Sequence, residues 1–259
     1  MALLAGTVVL VCGVGPGLGR SVALASARAG ADVVLAARTA SRLDEVAKEV
    51  TALGRHGAAV PADVTDDESA GRLAEAALAA FGRIDTLVHN AFAIPPLTSL
   101  ADADLAAIRA AFDTNAVAAL RLTRLLTPAL AASRGSVVMV NSAVLRHSRL
   151  NFGGYKMAKA ALLALAQSLA TELGPQGIRV NSVAPGYIWG DSLKWYFGHL
   201  ARQRGVDAQQ VYDETAATLD LRRLPGPDEV ADAVVFLASP MARAITGQCL
   251  GVDCGEYHQ

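Results

Sequence analysis

Short β-branched runs alternate with longer Ala- and Leu-rich stretches along nearly the whole chain, and no other feature restricts the fold so strongly. The candidate strands are residues 7–12, 32–37, 58–61, 86–89, 136–141, 179–183 and 248–252. Helical patterns fill the intervals at 18–29, 41–53, 68–81, 105–132, 154–173 and 228–238. The strand runs are apolar without alternation, as expected for strands covered on both faces. Strand–helix alternation of this kind predicts an α/β fold. It is a Rossmann-type, doubly wound parallel sheet of about seven strands with helices on both faces. No internal repeat or linker divides the 259 residues, so a single domain over 1–259 is expected.

Apolar residues make up 53% of the chain, enough for a sizeable core, and the formal net charge is −1. So balanced a charge gives no bulk attraction to nucleic acid or to an anionic membrane, and neither is expected as a partner. Cys12, Cys249 and Cys254 are too few and too poorly spaced for a disulfide framework or a zinc site. They read as reduced packing residues of an intracellular protein, and no metal is expected. The apolar start at 2–14 lacks a basic flank, and glycines interrupt it where a signal peptide would place its cleavage site. No run reaches the roughly 18 apolar residues of a membrane span, so a cytoplasmic location is expected.

After the first strand comes Gly13-Val14-Gly15-Pro16-Gly17-Leu18-Gly19-Arg20, followed at once by a helical pattern. Glycines let the backbone turn sharply and approach a pyrophosphate, whose charge sits well at a helix N-terminus. Glycine-rich turns also occur without ligands, but this one lies between a strand and a helix. The second strand ends in Ala37 and Arg38, where an NAD site usually carries a carboxylate for the ribose hydroxyls. A missing carboxylate beside a guanidinium favours a 2′-phosphate, and hence NADP(H) over NAD(H). The alternative is a solvated surface Arg; Arg42 is a second candidate. Asp63 and Val64, after the third strand, are expected at the adenine edge.

Tyr155 and Lys159 stand four apart on a helical pattern and so share a face. An ammonium beside a phenol is expected to lower its pKa and make it a usable proton donor and acceptor. With only four lysines and five tyrosines in the chain, a chance pair at this spacing is rare. Ser142 lies thirteen residues upstream, just past a strand. From a carboxyl strand end its hydroxyl points into the ligand crevice of an open sheet and can bond a carbonyl oxygen.

Taken together, these elements resemble the short-chain dehydrogenase/reductase (SDR) family over nearly the whole length. The glycine spacing, with three residues between Gly13 and Gly17 and one between Gly17 and Gly19, matches that family's loop. Asp63, Asn90-Ala91, Asn115, Ser142, Tyr155, Lys159 and Pro185-Gly186 match its further positions. The resemblance implies an oxidoreductase moving hydride between a nicotinamide and a carbonyl or alcohol. It makes Tyr155 the general acid/base and Ser142 the carbonyl anchor. Lys159 then holds the nicotinamide ribose, and Asn115 anchors a proton-relay water. It implies a cofactor site formed by Gly13, Gly15, Gly17, Leu18, Gly19, Arg38, Asp63, Val64, Asn90, Ala91, Tyr155, Lys159, Pro185, Gly186 and Ile188. It also implies a homotetramer or homodimer built through the helices at 106–132 and 154–173 and the C-terminal segment. The chain departs from the family at Cys12, where Thr is usual, at Phe92 in place of Gly, and at Gly190 where a Thr would meet the carboxamide.

On the substrate side, six of the thirteen aromatics fall between Tyr187 and Tyr212, inside the insertion at 187–226. Residues 191–219 are expected to form two helices closing over the site as a lid. Phe92, His147, Trp189 and Trp195 are the candidate pocket residues, and they point to a bulky, largely apolar ketone or secondary alcohol. The same rings would equally pack the lid onto the body or line a subunit interface. Arg149 near the pocket would favour an anionic group instead, and the sequence leaves both readings open. A catalytically silent dinucleotide sensor or scaffold is the competing class, and the intact Ser142, Tyr155 and Lys159 argue against it. An NAD-dependent alcohol dehydrogenase is the alternative within the family.

Overall fold

The computed structural model describes residues 2–258. Its first half runs β1 (Val8–Cys12), α1 (Leu18–Arg28), β2 (Asp32–Ala37), α2 (Ala40–Ala52), β3 (Gly57–Pro61), α3 (Asp67–Phe81) and β4 (Thr86–His89). It continues through α4 (Leu105–Phe112), α5 (Ala118–Ser133), β5 (Ser136–Val140), α6 (Gly153–Leu173) and β6 (Arg179–Pro185). Two helices, α7 (Asp191–Arg204) and α8 (Ala208–Ala216), precede α9 (Pro227–Ala238) and β7 (Cys249–Val252). All seven strands form one parallel sheet in the order β3-β2-β1-β4-β5-β6-β7. The doubly wound reading of the sequence is therefore correct.

Strand pleating explains why these runs lack polar alternation. Within β1, Val8, Leu10 and Cys12 join one apolar cluster with α3, α5 and α6. Val9 and Val11 join the other, with α1, α2 and α9. Successive side chains point to opposite faces, and both faces are covered, so both sets must be apolar. Fully burying each such Val or Leu contributes about 1.5–3 kcal/mol. Helix ends obey local chemistry: Asp66 accepts from the Ser69 amide at 2.7 Å at the start of α3, and Gly82 closes it with a φ of 70°.

The sequence reading needs one correction here. The single helix expected at 105–132 is interrupted by a π-helical turn at Asp113–Val117. Asn115 Nδ2 donates to the carbonyl of Ala111, four residues back, at 2.8 Å, and to that of Ala93 at 2.7 Å. A side chain that bonds nearby backbone carbonyls competes with the regular ladder, and one-turn π-bulges cluster at functional sites. Among the described residues, no helix is long and apolar enough to cross a membrane.

Candidate active site

The sheet order reverses between β1 and β4, and the crevice outside their carboxyl ends is where an open α/β sheet binds ligands. A cleft of about 380 Å³ opens there. Gly13 and Gly15 line it from the β1–α1 turn, Arg38 from the end of β2, Asp63 and Val64 from β3, and Asn90, Ala91 and Phe92 from β4. Thr39, Arg42, Thr65 and Thr114 also line it. The sequence reading did not single out these threonines, because a lone Thr carries no pattern.

The glycines divide by cause. Gly13 has a φ of 94°, and a Cβ there would collide with the Ala91 backbone. Its carbonyl accepts from Asn90 Nδ2 at 2.7 Å, tying the turn to β4. Gly19 is hemmed in by the Gly13 carbonyl. At Gly15 and Gly17 nothing lies within 4 Å of a built Cβ, and neither has a positive φ. Neither packing nor a left-handed φ demands glycine at those two positions, and the turn presents bare backbone to the cleft at Gly15. That cradle fits a pyrophosphate approaching the N-terminus of α1, and Gly17 is the cap residue of that helix.

Two guanidinium groups and one carboxylate stand at the far end of the cleft. Arg38 and Arg42 are both exposed, and the β2 terminus offers only Ala37 beside them. The Asp63 carboxyl is held below its usual range, first by the Thr65 hydroxyl and amide, with Arg38 adding a smaller pull. Thr65 Oγ1 donates to Asp63 Oδ1 at 2.6 Å, which fixes the carboxylate in the loop after β3.

At the carboxyl end of β5, Ser142 accepts from the Val144 amide at 3.2 Å, and its own amide donates to Asn141 Oδ1 at 3.1 Å. Its side chain is hydrogen-bonded to Tyr155, which extends from the first turn of α6. Lys159, one turn further along, is 2% exposed and donates to the Val140 carbonyl at 2.9 Å. Its Nζ lies 5.9 Å from the ring centroids of both Tyr155 and Phe92. Asn115 Oδ1 is buried and has no hydrogen-bond partner among the described residues. An acceptor kept so is suited to a bound water.

Electrostatics here run opposite to the expectation from spacing. The Tyr155 phenol is pushed up to about 12 by burial, which outweighs the opposing Ser142 bond. Lys159 is pushed down to about 7, also by burial. Burial outweighs any attraction between the two groups, and both shift toward neutrality.

Of the candidate pocket residues, Phe92 is 57% exposed at the cleft mouth. His147 packs between Phe152 and Tyr257, with ring centroids 6.2 and 5.6 Å away. Trp189 packs on Tyr212 and Phe197, with centroids at 4.5 and 5.8 Å, inside a small apolar cluster shared by α7 and α8. Trp195 is 69% exposed and stacks on His199. Pro185 ends β6, Gly186 packs against the C-terminal segment, and Ile188 packs at the edge of the α1/α9 core.

A family model described as enoyl-(acyl carrier protein) reductase matches residues 13–257. The chain belongs to the short-chain dehydrogenase/reductase family. An uncharacterized oxidoreductase of Mycobacterium tuberculosis (strain CDC 1551 / Oshkosh) is 38% identical over 256 residues, covering 96% of this chain and 91% of its own. A 7α-hydroxysteroid dehydrogenase complexed with NADH and 7-oxo glycochenodeoxycholic acid superposes with a TM-score of 0.88 at 30% identity, over 99% of this chain and 96% of its own. L-Sorbose reductase from Gluconobacter frateurii, complexed with NADPH and L-sorbose, gives a TM-score of 0.94 at 28% identity over 100% of both chains. This SDR chain is accordingly an NAD(P)(H)-dependent oxidoreductase acting on alcohols or ketones.

Proposed function

We propose that this SDR enzyme is an NADP(H)-dependent carbonyl reductase/alcohol dehydrogenase for a bulky, largely apolar ketone or secondary alcohol. The observation that carries the cofactor preference is the pair Arg38 and Arg42 on a cleft whose β2 end is Ala37 rather than a carboxylate. Guanidinium groups pair with a phosphate in a way that ribose hydroxyls cannot exploit. The reading is tested by fluorescence titration of wild type and Arg38→Ala with NADPH and NADH. NADPH is expected to bind wild type at least about tenfold more tightly than NADH, and Arg38→Ala to erase that margin. Equal or tighter NADH binding overturns the preference and favours the NAD-dependent alternative.

Bound, the nicotinamide supplies or accepts the hydride. Gly13, Gly15, Gly17, Leu18 and Gly19 would hold its pyrophosphate side, and Asp63, Val64, Asn90 and Ala91 its adenosine side. Pro185, Gly186 and Ile188 would flank the ring. Ser142 orients the substrate oxygen, and Tyr155 donates a proton to that oxygen in reduction or takes one from it in oxidation. Lys159 would hold the ribose and, through a water on Asn115, pass the proton out to solvent in oxidation and in from solvent in reduction. The Ser142–Tyr155 bond and the buried Lys159 beside it support these roles.

The substrate class is supported by the apolar α7–α8 cluster, read as a lid, and by exposed Phe92. The structural neighbours are complexed with 7-oxo glycochenodeoxycholic acid in one case and with L-sorbose in the other. Steady-state reduction of cyclic and aryl ketones against small aliphatic ones decides between them. Higher kcat/KM for the bulky series is expected, and equal or better turnover of the small ketones overturns it. Self-association through α5 and α6 belongs to the same reading, supported by exposed Leu125 on α5, Met157 on α6 and Val117 just before α5. Light scattering reads the mass, and a monomer overturns it.

A further inference from the structure

Residues 253–258 fasten together segments that come from distant parts of the chain. Arg149 lies on the loop from β5 to α6, between Ser142 and Tyr155 in the sequence. From Nη2 it donates to Glu256 Oε1 at 3.0 Å and to the Tyr257 hydroxyl at 3.1 Å, and from Nη1 to the Tyr187 hydroxyl at 3.2 Å. Its guanidinium carbon also stands 5.7 Å from the Tyr187 ring centroid. The Glu256 side chain is only 11% exposed, and a Cβ on Gly186 would come within 2.7 Å of its Oε2. The carboxylate therefore lies directly against the end of β6.

The same segment grips the stretch after α8. The Leu221 amide donates to the Cys254 carbonyl at 3.1 Å, and His258 Nε2 lies 2.7 Å from Asp220 Oδ2. Gly255, with a φ of 80°, backs directly onto Asp220. On the other side, Lys156 Nζ, one residue past Tyr155, donates to the His147 carbonyl at 2.6 Å and to Ser148 Oγ at 3.0 Å. The Arg149 loop is therefore held between the start of α6 and the C-terminal segment.

The Arg149 side chain is 42% exposed, where a lone ion pair would carry little weight, but its carboxylate partner is mostly withdrawn from water and both terminal nitrogens of the guanidinium are engaged. A substrate carboxylate recognised by an Arg needs that same fork of donors. We propose that Glu256 is a specificity-determining residue: it holds Arg149, on the loop that joins Ser142 to Tyr155, in a charge-neutral clamp and so denies its guanidinium to anionic ketones and alcohols. The inference rests on the reading that substrate binds at Ser142 and Tyr155.

The test compares wild type, Glu256→Gln, Arg149→Met and the double variant at saturating NADP(H). The probes are cyclohexanone and 4-oxocyclohexanecarboxylate, which differ by one anionic group. In Glu256→Gln the kcat/KM ratio of the carboxylate to the neutral ketone is expected to rise about tenfold or more, the worth of one charge-assisted bond. The rise appears in KM rather than kcat, and adding Arg149→Met removes it. An unchanged ratio, or a rise that survives Arg149→Met, overturns the proposal. Calorimetric binding of the carboxylate to the holoenzyme gives a readout that needs no turnover. If no variant reduces either ketone, the substrate reading fails while binding still decides the clamp. Tighter binding in Glu256→Gln alone supports it, and equal binding across the four proteins overturns it.

Discussion

Tyr155→Phe is expected to lower kcat for ketone reduction by about 10²–10⁴-fold, the usual worth of a positioned general acid. The substitution keeps the ring and its packing and removes only the hydroxyl that bonds Ser142. The cleft proposed for the adenosine side is built from other elements, so NADPH affinity is expected to change little. Burial raises the free-enzyme phenol to about 12, which keeps it protonated throughout the neutral range. Reduction needs the protonated form and is expected to vary little with pH there. Oxidation needs a proton acceptor and is expected to rise as pH increases. Initial rates in both directions between about pH 6 and 10 check the pair of statements. A Tyr155→Phe enzyme of near-wild-type kcat would remove Tyr155 from the acid/base role.

Lys159→Met is expected to abolish useful turnover while raising the thermal stability of the cofactor-free protein. The ammonium is 2% exposed and has the Val140 carbonyl as its recorded hydrogen-bond partner. Burial lowers its pKa from 10.5 to about 7. Between those values the unfolded chain binds a proton that the folded chain does not, so stability rises with pH across the window. Below about pH 7 the whole penalty is present, with a ceiling of roughly 5 kcal/mol at 1.36 kcal/mol per unit. A methionine of similar shape carries no such penalty. The apo variant is expected to melt about 5–10 °C above wild type at neutral pH, with the gap closing toward pH 10. Calorimetry over that pH range measures it. A lower melting temperature would mean that the lysine is better solvated than its burial implies.

Both expectations come from the same conflict. A lysine proposed to serve the ribose and the proton path sits where water is excluded, and the fold bears the cost of burying it. The π-helical turn at Asp113–Val117 is a second local departure from regular structure facing this region. It carries the orphan acceptor of Asn115.

Much of the fold was legible because burial on both faces of a parallel sheet leaves a strong trace in composition. Each of the seven strands lies where the β-branched runs stand, with ends shifted by a residue or two. The glycine turn, Asp63, Asn90 and Ala91 converge on one cleft because they all sit at carboxyl strand ends. Ser142 and Tyr155 meet because the loop after β5 brings the start of α6 back to the carboxyl end of that strand, and Lys159 follows one helical turn later. The break at residue 113 was not legible, since Asn and Thr in a helical pattern do not announce whether their side chains will capture backbone carbonyls. The aromatic stretch was legible as a group but not by role. Trp189 and Trp195 look alike in sequence, yet one is packed on Tyr212 and the other is largely in solvent.

Periodicity and spacing thus determined the sheet, the cleft and the identity of the chemical groups, because these depend on local pattern and on short stretches of chain. Tertiary structure decided two things. It set the direction in which Tyr155 and Lys159 are shifted, which depends on how deeply the surrounding elements bury them. It also set the state of Arg149, whose partners Tyr187, Glu256 and Tyr257 lie 38 to 108 residues away. Charge and hydration are properties of a group's surroundings, and those exist only once the chain has closed on itself.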